Sequence, residues 1–261
     1  MSEKFLRPAL VASLAATLLV AQLKAAQQPA RVVPGPNSVA AALHYPAKAK
    51  ASRRQAALTF YCQVQPNGQA IDIEVPFAGN KKEFAAAVED ALRRGRFKPA
   101  TIDGQPVSVV TGGTVLFLFH GNHPQIVVSL ATADQEKIAR LEDYVQPQLI
   151  GTATDIRRKI SNSGTTLGAM NFAGNSRPSL HAYHSFDVDY PSPGVVSAEV
   201  LARVDAGGKV SGVQVRSEFP ANSGYGKLLA RALEGAKFIP ARANGRPVAG
   251  NFLFAMEQSA L

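Results

Sequence analysis

The 261-residue sequence predicts an α+β protein built from two small β-β-α-β units, each an antiparallel sheet with one packed helix. Three observations carry that reading. One set of chain landmarks occurs twice in the same order, each set contains strand-like runs around a Gly turn, and each then shows a helical spacing of apolar residues. The first block reads Val64-Gln65-Pro66-Asn67-Gly68-Gln69, then Phe97-Lys98-Pro99-Ala100, then Asp103-Gly104-Gln105-Pro106-Val107. The second answers with Val204-Asp205-Ala206-Gly207-Gly208-Lys209, Phe238-Ile239-Pro240-Ala241 and Asn244-Gly245-Arg246-Pro247-Val248. Tyr45-Pro46 and Tyr190-Pro191 open the blocks, and Phe117-Leu118-Phe119 and Phe252-Leu253-Phe254 mark their ends.

The elements follow in order. Residues 8–23 carry no charge and lie between Lys4 and Arg7 on one side and Lys24 on the other. That pattern makes residues 1–26 a signal peptide or, if uncleaved, an N-terminal anchor. A run of about 16 residues is short for a hydrocarbon core of roughly 30 Å. Residues 27–44 contain Pro34-Gly35-Pro36-Asn37 and read as an extended linker. In the first domain, 45–120, residues 57–65 are rich enough in aromatic and β-branched residues for a strand, and Pro66-Asn67-Gly68 turns it. Residues 69–75 alternate apolar and polar, as a half-buried strand does. Phe84, Ala87, Val88, Ala91 and Leu92 give an amphipathic helix reaching about residue 94, where Gly95 stops it. Asp103-Gly104 is a hairpin turn, and residues 107–119 form a long last strand. The second domain, 190–258, has strands at 197–204 and 209–216, a helix over 225–236 and a last strand ending near Phe254. At about 65–75 residues, each unit is close to the smallest size that folds alone.

The connecting segment, 121–189, holds a strand at 125–130 and a helix to about residue 142, opened by the capping box Thr132-Ala133-Asp134-Gln135. A loop rich in Ser, Gly, Asn and Thr follows over 161–185. Charge is shared out evenly. The chain has 28 Lys+Arg against 19 Asp+Glu, with 10 against 6 in residues 45–119, 8 against 4 in 190–254 and 6 against 7 in 120–189. Arg93, Arg94, Arg96 and Lys98 cluster where the first helix ends, which suits a helix dipole. No aromatic residues interleave them as a single-strand nucleic-acid platform requires, and no nucleic-acid partner is assigned.

Chemistry-bearing residues are few. The single Cys62 excludes an internal disulfide framework and reads as a small core residue in mid-strand. His120 with His123 and His181 with His184 form two His-x-x-His pairs that bracket the connecting segment; brought together they would supply nitrogen ligands. Neither pair has a carboxylate or Cys at ligand spacing, so no metal is assigned. Asp187 and Asp189 read as a solvated linker, and Gly207-Gly208 as a turn with no phosphate cradle behind it. No nucleophile elbow, Walker loop or dinucleotide fingerprint is present. No catalytic or cofactor residue is assigned, and the chain reads as a non-enzyme.

At these residues the chain resembles the C-terminal domain of the TonB family, present twice in tandem. The resemblance rests on the Tyr-Pro start, the hairpin with a Gly turn, the amphipathic helix, Phe-x-Pro-Ala, and the turn followed by Pro-Val. It implies an exported periplasmic or cell-envelope protein, and a sheet edge to which a short segment of an outer-membrane receptor or other envelope protein adds as a strand. Energy-transducing members carry a His in their membrane helix and a long Pro-rich spacer. Residues 8–23 contain no His, and only about 20 residues separate the leader from Tyr45, roughly 60–70 Å when fully extended. The expectation is therefore a non-enzymatic interaction module accepting a strand at 107–119 or 249–254, with basic flanks that favour acidic peptides. Three alternatives stand beside it: a divergent energy transducer anchored in the inner membrane by its N-terminal helix, an enzyme built on the connecting segment, and two copies that bury their edges against each other.

Overall fold

The computed structural model describes residues 27–75, 79–132, 143–162 and 195–259. The leader, the body of the 132–142 helix, the Ser/Gly/Asn/Thr loop beyond residue 162, and the Tyr190-Pro191 start lie outside the described residues.

The first block runs β1 (Gln27–Gln28), α1 (Val39–Ala42), α2 (Ala47–Ala51), β2 (Ala56–Val64), β3 (Ala70–Glu74), α3 (Lys82–Arg94), β4 (Ala100–Ile102), β5 (Gln105–Val107) and β6 (Val109–His120). Alternation in β2 turns Leu58, Phe60, Cys62 and Val64 inward, where they join Phe84, Val88 and Leu92 of α3 in one core. Tyr45 covers that core edge-on to Phe84, Phe117 and Phe119, with ring centroids 5.2–5.9 Å apart, which explains the Tyr-Pro start. α3 ends at Arg94 as the periodicity predicts, but Gly95 there is extended rather than left-handed. Its missing side chain makes room for the α1 backbone, since a Cβ would lie 2.5 Å from the Val39 Cα.

After β7 (His123–Ser129), β8 (Tyr144–Val145), β9 (Gln148–Ile150) and α4 (Ala153–Ser161), the second block runs β10 (Val195–Val204), β11 (Val210–Phe219), α5 (Tyr225–Glu234), β12 (Phe238–Ile239), β13 (Ala241–Ala243), β14 (Arg246–Val248) and β15 (Gly250–Ser259). Its elements repeat the order of the first block, and its contacts repeat too. Gly68 and Gly208 both have positive φ, +79° and +83°. Their carbonyls accept from Phe97 N at 2.9 Å and Phe238 N at 3.2 Å. A Cβ on either glycine would lie 2.2 Å from the carbonyl oxygen of its Phe. The Gly turn and the Phe-x-Pro-Ala motif are therefore two halves of one contact, which is why they recur together in the sequence. Asp103-Gly104 and Asn244-Gly245 have φ > 0 at both turn positions, as type I′ hairpins require.

The repeat reaches outside the predicted boundaries. Residues 27–44 are packed against the first block instead of forming a free linker: Gln27 and Gln28 pair with Ile102 and Thr101, and Arg31 bridges Lys98. At matching positions of the second block, Tyr144 and Val145 pair with Ala243 and Arg242, and Gln148 and Leu149 with Ile239 and Phe238. Each such arm leads into a helix with a Ser or Thr N-cap, Ser38 or Thr152, packed on the main helix of its block.

The arm of the second block also joins the two blocks. β9 pairs with β12 on one edge and with β6 on the other, giving a sheet ordered β12-β9-β6-β2-β3. Val110 and Leu149, each 1% exposed, belong to the core of the second block. Two polar side chains stitch the first arm across the same seam. Buried Gln148 accepts from Ala30 N at 2.7 Å and donates to Ala30 O at 3.0 Å, and Arg242 donates to Gln27 O at 2.6 Å.

Candidate strand-accepting edge

The two predicted acceptor strands stand at equivalent places. β6 pairs with β2, placing Val109 opposite Val64, and β15 pairs with β10, placing Gly250 opposite Val204. Val64 and Val204 each stand four residues before the shared Gly turn, so Val109 and Gly250 are equivalent. The Phe-Leu-Phe landmarks are not. Cys62 faces Thr111, whereas its counterpart Ala202 faces Phe252. Phe117 therefore matches Gln258, and β15 continues five residues past the end that the sequence landmark marked.

Register explains why the motif slid. In β2–β6 the large residues are on β2: Phe60 faces Gly113 and Tyr61 faces Gly112. In β10–β15 the bulk lies on the other strand, where Val200 faces Phe254 and Leu201 faces Leu253. The first pair sets large residues of β2 against glycines, whereas in the second Phe254 faces the smaller Val200 and two leucines face each other.

The outer edges then diverge. β6 is covered along most of its length. Val109 and Val110 pair with Ile150 and Leu149 of β9, and Thr114 through His120 pair with Ser129 through His123 of β7. The glycines make the crossing between these covers fit. A Cβ at Gly113 would lie 2.4 Å from Ser129 O, and one at Gly112 would lie 2.7 Å from the Thr132 side chain. Thr114 Oγ1 donates to Ala131 O at 2.7 Å and so holds the end of the cover. The expectation that 107–119 is an open acceptor is therefore corrected: the connecting segment already occupies that edge.

β15 has no such cover. Among the described residues it pairs only with β10, through ten consecutive residues and with no register shift. Other outer strands are guarded by irregularity. β10–β11 has two register shifts, β2–β3 has one together with Asp72 at φ +48°, and β7 carries Pro124. β15 is thus the longest regular open edge among the described residues. Phe252, Phe254 and Met256 face the core, leaving Asn251, Leu253 and Ala255 on the other face beside Arg203, Leu201 and Glu199. The predicted basic flank is not present there, because one Arg and one Glu share that surface. Burial raises the Glu199 carboxyl, with Arg216 opposing the shift. Tyr61 is pushed above its ordinary value by burial, with Glu199 and Glu74 adding to it, which puts Glu199 beside the first block.

The remaining candidates fall as follows. Cys62 is fully buried in the first core, and burial pushes its thiol up to about 12. Arg93 reaches Glu89 at 3.1 Å and Arg94 reaches Asp90, both one helical turn back, so two of the four clustered cations are paired within α3. His120 and His123 lie directly opposite each other at the β6–β7 turn. His181, His184, Asp187 and Asp189 lie outside the described residues. Among the described residues no group of three or more His, Cys, Asp or Glu is placed to hold a metal, and no helix is long and apolar enough to cross a membrane. Sequence reasoning missed α4 and the arm strands. For α4 the cue was present: Thr152 and Asp155 form a reciprocal capping box, and Ile156 and Ile160 follow four residues apart.

Residues 41–119 match the family described as Gram-negative bacterial TonB protein C-terminal. The match spans most of the first block and is about a third of the chain, and it marks that block as similar to a TonB-type C-terminal domain. Comparison with curated proteins and with solved structures gives no match.

Proposed function

We propose that this chain is an exported, non-enzymatic interaction protein of the cell envelope, built from two TonB-type units of which the second accepts a partner strand along β15. The observation that carries the reading is the contrast at equivalent positions: β6 is covered by β7 and β9, and β15 is long, regular and unpaired on its outer edge among the described residues. The repeated Gly–Phe contact, the two type I′ turns and the two capped arms support treating residues 144–259 as a second copy of the matched domain. Strand addition needs only main-chain groups in register, so affinity comes from the ladder and specificity from alternate side chains. Leu253 is the apolar contact that β15 offers on its outer face. The leader supplies export and, if retained, tethers the first arm to the inner membrane.

A photo-cross-linking residue placed at Leu253, and separately at Leu118 in covered β6, tests this in living cells. The expected result is a protein adduct in the envelope fraction from position 253 and none from 118. Adducts from both positions, or from neither, contradict the proposal.

A further inference from the structure

Neither the open edge nor the cores use the His120-Gly121-Asn122-His123 turn. We propose that it is a surface chelate for a divalent transition-metal ion, and that the bound ion pins the cover strand β7 onto β6. Pairing puts the two histidines directly opposite across a two-residue turn. In such a pair the Cβ atoms are about 4.5–5.5 Å apart, a span that two imidazole nitrogens close around one ion at about 2.0–2.1 Å each. Both residues are exposed, so their rings are free to turn toward a shared ion.

Strand alternation separates this pair from the nearest cation. Phe117 is buried in the core and Phe119 meets Tyr45 edge-on, so His120 and Leu118 belong to the other face. The Arg53 guanidinium lies 5.4 Å from the Phe119 ring centroid, on the Phe119 side, and donates to Gly121 O at 2.6 Å and Asn122 Oδ1 at 2.7 Å. It braces the turn from the face opposite the imidazoles. Gln125, two residues beyond His123 on the same face, offers an amide oxygen as a third ligand, and water completes the shell. Neutral nitrogen donors suit copper, nickel or zinc and not magnesium or calcium. With two His and no carboxylate, the site is an open, exchangeable one and not a closed structural centre. The ion binds only the paired hairpin, so its binding energy adds to the hold of β7 on β6. Ligating imidazoles must be neutral, so acid releases the ion. This assignment is independent of any strand accepted at β15.

The test is calorimetric titration of zinc chloride into the full chain carrying His44→Ala, His181→Ala and His184→Ala, with amide exchange of Ile126, Val127, Val128 and Ser129 measured alongside. The expected result is one zinc per chain and slower exchange of those amides. Adding His123→Ala, or His120→Ala as a second variant, abolishes both, while exchange across β10 remains as before. Copper binds more tightly than zinc at the same site. No binding, binding that survives both substitutions, or binding that leaves β7 exchange unchanged would each overturn the assignment.

Discussion

β6 and β15 hold the same place in their blocks, and each pairs on its inner side with the strand that precedes the shared Gly turn. On the outer side β6 meets β9 and β7, while β15 meets no strand among the described residues. The difference lies in the strands that the connecting segment lays against β6, and side chains along the two strands accompany it. Val110 is 1% exposed and enters the seam between blocks, whereas its counterpart Asn251 is exposed. Gly112 and Gly113 let the covering chain pass close, whereas Leu253 and Phe254 stand at the equivalent positions of β15. The strand at this place is thus an internal joint in one block and, among the described residues, a free edge in the other.

Breaking the joint has the largest expected effect. Leu149→Ala removes a side chain buried in the second core beside Val110 and should cost about 2–5 kcal/mol. Denaturant unfolding followed by two local probes should then resolve separate transitions for the two blocks, where the wild type gives one. Gly113→Val comes next. Its side chain would meet Ser129 O and the Phe60 ring, for a loss of about 1–3 kcal/mol. Its particular mark would be release of β7, read as faster exchange at Val127 and Val128 with β10 unaffected. Asn251→Val sharpens the contrast at small thermodynamic cost, within about 0.5 kcal/mol at an exposed site. It gives β15 the residue that β6 uses in the seam, so sedimentation should show stronger self-association than in the wild type.

Cys62 requires no substitution. Fully buried and with its thiol held neutral, it should resist thiol reagents at pH 8 until the first block opens. Its folded value lies above its unfolded one, so its contribution to stability is intact below about pH 9 and is lost as pH rises toward about 12.

Much of the fold was legible because its determinants are local. Both Asx-Gly turns, the aromatic and β-branched content of β2 and the helices α3 and α5 need only neighbouring residues, and each lies close to where the pattern puts it. Phe-Leu-Phe misled because it is a composition match. Register is set by which residue faces which, and the bulk had moved from β2 in one copy to β15 in the other. The arms were illegible for a related reason. Gln27–Gln28 and Gln148–Ile150 are too short to announce strands, and they become strands only because an edge of another element waits for them. The covered state of β6 is likewise a fact of topology. Gly112-Gly113 was the available clue, since paired glycines inside a strand mark a close approach.

Backbone amide exchange of the unliganded full chain tests the central claim most directly. In β6, slow exchange is expected at Val109 and Val110, held by β2 or β9, and at every amide from Val115 to Leu118, held by β2 or β7. In β15, slow amides bonded to β10 should alternate with fast amides facing outward. Uniform protection along β15 in the absence of a partner, or alternation in β6, would contradict the assignment of one closed edge and one open edge.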